Sequence, residues 1–172
     1  EDAQQREVEA LNELRVMLDT LGEGFWKVDA TGRIIEANDA YYRLVGYARD
    51  EVIGAHISKF EALEQTPEVV AAHIQQIIEQ GHARFETRHR HGDGRLIDIE
   101  VATTFIPEKK CFIVFLHDVT KRKLMEDALR RSETKFRTVY ESSSDGMMLL
   151  DENGFLDCND ATLRLFGCPT RD

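Results

Sequence analysis

The chain has 172 residues, 42% hydrophobic and 31% charged, a soluble balance with room for one ordinary domain and a remainder. A net charge of −10 speaks against a nucleic-acid partner, which rewards dense Lys and Arg. Apolar runs such as "FIVFL" at 112–116 are too short to span a bilayer, and three cysteines without metal spacing fit a reducing cytoplasm better than a disulfide framework.

No signal-peptide pattern opens the chain, and a start without Met with a stop inside a motif reads as a fragment of a longer protein. Residues 3–21 read as a helix, with Val8, Leu11, Leu14, Leu18 and Leu21 three or four apart. "LGEG" breaks it. "FWKVD" is a short strand with Trp26 and Val28 on one face, "DATG" a tight turn and "RIIEA" the returning strand, so 25–37 is a hairpin. Asn38 and Asp39 are placed to cap a short helix that Gly46 ends, and "RDEVIG" is a further turn closed by Gly54.

"PEVVAAHIQQIIEQG" is the clearest helix, with Val70, Ile74, Ile77 and Ile78 as its stripe and Gly81 as its stop. Three strands follow. "RFETRHR" alternates, with Phe85, Thr87 and His89 inward, and "HGDG" turns the chain into "RLIDIEVAT". "CFIVFLHD" is apolar on both faces, as a central strand with cover on each side would be. The order predicts an α+β domain: a five-stranded antiparallel sheet with short helices on one face and the N-terminal helix on the other.

After "HDVT" the composition changes. In 121–141, Met125, Leu129, Ser132, Phe136 and Val139 step by four, three, four and three, a heptad seam too short to stand alone. A homodimer through this linker helix and the N-terminal helix is therefore expected, the other reading being a surface helix packed on its own domain. Residues 147–168 then echo 25–47: Asp29, Gly32, Asn38, Asp39, Ala40, Arg43, Leu44 and Gly46 return as Asp151, Gly154, Asn159, Asp160, Ala161, Arg164, Leu165 and Gly167.

Taken together, "GEGFWKVDATGRIIEANDAYYRLVGYARDEVIG", "ETRHRHGDGRLIDIEV" and "FLHDVT" resemble the PAS sensor family over roughly 20–120. The division that follows is an N-terminal helix (1–21), a PAS domain (22–120), a linker helix (121–141) and the beginning of a second PAS domain (142–172). The resemblance implies a cytoplasmic sensory and dimerising module, set upstream of a histidine kinase or cyclic-dinucleotide enzyme in the same polypeptide. It also implies that Asp118 and Thr120 form a signal junction between the last strand and the output helix. No phosphate loop, zinc-helix pattern or nucleophile elbow is present, so catalysis is not expected within these residues.

A ligand pocket would be lined by Trp26, Val28, Ile35, His73, Ile74, Ile77, Phe85, Thr87, Ile99, Val101, Val114 and Leu116. His73, on the apolar face of its helix, is a haem-ligand candidate, because haem-binding PAS domains take their proximal histidine from this helix. Non-covalent flavin is another possibility, with Trp26 as a stacking partner. The covalent photocycle is excluded, because its Asn-Cys-Arg-Phe-Leu-Gln motif is missing. No cofactor and no metal is the plainest expectation. The alternative function is a ligand-free dimerisation and relay module.

Overall fold

The computed structural model describes residues 16–62 and 67–168. The chain divides into two compact units, Glu1–Lys121 and Arg122–Asp172. Most of the expected N-terminal helix, including Val8, Leu11 and Leu14, lies outside the described residues. Its described end, α1, is helical over 16–21.

In the first unit, β1 (Gly24–Asp29) and β2 (Ile34–Ala37) form the expected hairpin. Short helices α2 (Asp39–Val45) and α3 (Arg49–Val52), the longer α4 (Pro67–Gln80), and strands β3 (His82–Arg90), β4 (Leu96–Ile106) and β5 (Cys111–Asp118) follow. The five strands form one antiparallel sheet in the order β2-β1-β5-β4-β3. β5 is central, as its apolar run requires.

Two capping devices set the short helices. Asn38 accepts from the Tyr41 N–H at the start of α2, and Gly46, at φ 68°, ends it. A Cβ on Gly46 would come within 2.3 Å of the His91 ring, because the β3–β4 turn lies against the end of α2. There Gly92 N–H donates to the Val45 carbonyl at 2.8 Å, satisfying an acceptor that the helix end leaves open.

The core lies between the sheet and the helices. Trp26, Val28 and Ile34 of the hairpin, Ile97, Ile99 and Val101 of β4, and Phe112, Val114 and Leu116 of β5 all point into it. Tyr41, Val45, Val52 and Phe60 close it from the helical side. On the opposite face, Phe25 and Phe115 touch ring to ring at 5.7 Å, and Phe115 stays partly exposed.

The hairpin corrects one expectation. Trp26 pairs with Ala37 and Lys27 with Glu36, but Val28 pairs with Ile34, so β2 carries one extra residue there. That bulge turns Ile35 outward, 49% exposed, and puts Ile34 in the core in its place.

Helix α5 (Thr120–Ser142) begins at the end of the first unit, and in the second unit it leads to β6 (Met148–Asp151), β7 (Gly154–Cys158) and α6 (Asp160–Phe166). β6 and β7 form a two-stranded antiparallel sheet with a bulge at the corresponding place, between Leu149 and Leu150. Met148, Leu150, Phe155 and Phe166 are exposed here, whereas the matching Trp26, Val28, Ile34 and Val45 are buried in the first unit. Along α5, Met125, Leu129, Phe136 and Val139 are exposed as well.

Candidate functional site

The site begins with an irregular segment that alternation could not reveal. Residues 60–62 run along the open edge of β3, where Arg90 N–H donates to the Phe60 carbonyl and Ala62 N–H to the Arg88 carbonyl, each at 2.7 Å. This sets Glu61 opposite His89. Thr87 Oγ1 donates to Glu61 Oε2 at 2.5 Å, and His89 Nε2 stands 3.5 Å from Glu61 Oε1.

His89 is fully buried, its Nδ1 lying 3.4 Å from the Tyr41 hydroxyl and its ring meeting Trp26 edge to face at 5.4 Å. Trp26 in turn stacks on Tyr41 at 4.7 Å. Burial, reinforced by the Glu61 charge, pushes the Tyr41 hydroxyl well above the ordinary phenol range.

Behind this cluster lies a chamber of about 70 Å³ between sheet and helices. Of the expected pocket residues, Trp26, Val28, Ile74, Ile77, Phe85, Val101 and Val114 line it. Glu61, His89, Ile57, Thr103 and Phe112 line it too and were not among those expected. An adjoining cleft of about 280 Å³ holds His73 and Thr87 and shares Ile57, Glu61, Ile74, Ile77 and Phe85 with the inner chamber. Ile99 and Leu116 are fully buried in the core without lining either space, and Ile35 faces away.

The cofactor candidates fit this site poorly. Pockets for ligands of drug size run from roughly 300 to 1,000 Å³, well beyond the inner chamber. His73 rests edge to face on Phe85 at 4.6 Å, and Trp26 is engaged by Tyr41, so neither ring is set out for haem or flavin. Among the described residues no group of three or more His, Cys, Asp or Glu side chains is placed to hold a metal ion.

The junction after β5 differs in detail from expectation. Asp118 Oδ1 accepts from Thr120 N–H at 2.8 Å and so caps α5, which starts at Thr120 rather than Lys121. The Thr120 hydroxyl turns to β4 instead, where Asp98 N–H donates to it at 2.9 Å. Val119 N–H adds a bond to the Asp98 carbonyl at 2.9 Å, and Arg88 Nε of β3 reaches the Asp98 carboxylate at 2.8 Å. Nearby, His117 Nδ1 pairs with Glu23 Oε1 at 2.8 Å.

A five-stranded antiparallel sheet with short helices over a small apolar chamber, and a capped helix leaving its central strand, defines a class. The chain belongs to the PAS family: the PAS fold matches residues 12–119, and a PAS domain family matches 134–172. It is 26% identical over 143 residues to sporulation kinase E of Bacillus subtilis, covering 83% of this chain and 19% of that protein. It is 28% identical over 136 residues to the cell-division control histidine kinase PdhS of Brucella anthropi, covering 75% of this chain and 13% of that protein. The chain thus spans a fifth or less of the length of these relatives.

Among solved structures, the PAS domain of an HTR-like protein from Haloarcula marismortui shares the fold at TM-score 0.60 and 22% identity, over 68% of this chain and 98% of that one. A PAS domain from a two-component sensor histidine kinase does so at TM-score 0.54 and 19% identity, over 66% of this chain and 98% of that one. No helix among the described residues is long and apolar enough to cross a membrane.

Proposed function

We propose that this chain is a cytoplasmic sensory module of a histidine-kinase-type signalling protein, in which occupancy of the chamber is relayed through α5 to an output domain of the same polypeptide. The observation that carries the reading is the Asp98–Thr120 clamp. β4 contributes Val101 to the chamber wall and, three residues away, grips the first residue of α5 through the Asp98 backbone. A shift of β4 or β5 on ligand entry therefore acts directly on the start of the helix. The kinase relatives support the choice of output, and three free cysteines, two of them buried, accord with a reducing compartment.

The module works as a homodimer. The exposed residues Met125, Leu129, Phe136 and Val139 keep heptad spacing along α5, and a second copy would cover them. The smallness of the inner chamber favours one further reading, a ligand-free relay. Native mass spectrometry with absorbance of the purified protein separates the two. A bound mass on the folded chain is expected. A chain free of ligand that also takes up none of a small-molecule library would leave the relay reading.

A further inference from the structure

Glu61 stands where the inner chamber meets the outer cleft, and it lines both. The inner wall is otherwise built chiefly from aliphatic and aromatic side chains such as Val28, Ile77 and Phe112. Glu61 keeps Oε2 for the Thr87 hydroxyl, while His89 Nε2 stands 3.5 Å from its Oε1. A carboxylate can accept several hydrogen bonds, so Oε1 has capacity for another donor.

We infer that the cavity selects its ligand by charge: a small amphipathic molecule with an apolar end in the inner chamber and a cationic or hydrogen-bond-donating head at Glu61. Carboxylates and phosphates are refused. This rests on the ligand-sensing reading above. Size limits the apolar end, since about 70 Å³ matches the liquid volume of about two waters and admits only a short alkyl end. Charge limits the head, because a second anion at this half-buried neck would meet Glu61 across little water.

The test uses one probe series on the intact chain: xenon, 1-pentanol, pentylamine and pentanoate, followed by the indole N–H resonance of Trp26, the chain's single tryptophan. Xenon, pentanol and pentylamine should move that resonance, and pentanoate should bind at least about tenfold more weakly than pentylamine. Glu61→Gln, which keeps an acceptor for Thr87, should bring the last two within about threefold of each other. Pentanoate matching pentylamine in the parent, or xenon binding while no pentyl probe does, overturns the charge selection and leaves ligand sensing standing. No response to any probe, xenon included, overturns both. The comparison within the parent decides the matter even if the variant fails to fold.

Discussion

Asn38 Oδ1 accepts from Tyr41 N–H and Phe25 N–H, while its Nδ2 donates to the Glu23 carbonyl, so one side chain caps α2 and pins the entry to β1. Asn159 repeats the arrangement, accepting from Thr162 and Met147 N–H and donating to the Asp145 carbonyl, and it donates also to the Tyr140 carbonyl near the end of α5. Asn38→Ala removes the cap and strands a buried N–H, a loss of about 2 kcal/mol in urea denaturation. Asn38→Asp keeps the acceptor and should lose less.

Tyr41 supplies a pH test. Its hydroxyl titrates above the ordinary phenol value of 10.0 in the fold, so its contribution is complete below that pH and lost as pH rises past it. The alkaline fall in stability should be shallower in Tyr41→Phe, measured from pH 8 to 11. Matching slopes would remove Tyr41 from the account. At this scale the sequence was partly legible. Alternation along β3 pointed Phe85, Thr87 and His89 inward, where they lie. What it could not show was that His89 meets Glu61, because Glu61 belongs to no periodic element and reaches β3 only through edge backbone bonds.

The β1–β2 hairpin shows what strands and turns reveal of themselves. Asp29 Oδ1 accepts from the Thr31 N–H, the Thr31 hydroxyl and the Arg33 N–H, the turn expected from "DATG". Burial raises the Asp29 carboxyl somewhat, but these bonds together hold it below its ordinary value, so the turn weakens as pH falls through the acid range. Gly32 has φ 86°, and a Cβ there would stand 2.6 Å from His56 Nε2. Gly32→Val should therefore cost about 1–3 kcal/mol, seen as a lower melting temperature. An unchanged melting temperature would contradict the turn geometry. The bulge was not legible: "RIIEA" offers two adjacent isoleucines, and only the cross-strand register says which is inward. Its recurrence in β6–β7 shows that the repeat preserves the bulge although the turn is one residue shorter.

At the scale of the whole chain, the order of elements and, to within one residue, the start of α5 were legible because glycine stops, strand alternation and the "HDVT" break agree with one another. The chamber's polar lining was not, since it is assembled from segments far apart in sequence. The exposed seam yields a prediction of its own. The parent should sediment as a dimer, and Leu18→Glu with Leu129→Glu should sediment as a monomer whose 22–120 domain keeps its fold. A monomeric parent would end the dimer proposal.

The relay itself is tested most directly by hydrogen exchange over 121–141, with and without saturating 1-pentanol, in the parent and in Thr120→Val. That substitution keeps the Asp118 cap on the backbone N–H and removes the hydroxyl that holds Asp98. Binding should change protection in the first turns of α5 in the parent and leave it unchanged in Thr120→Val, although Trp26 reports binding in both. Equal changes in the two proteins, or none in the parent while the chamber is filled, would contradict a relay through the Asp98–Thr120 clamp.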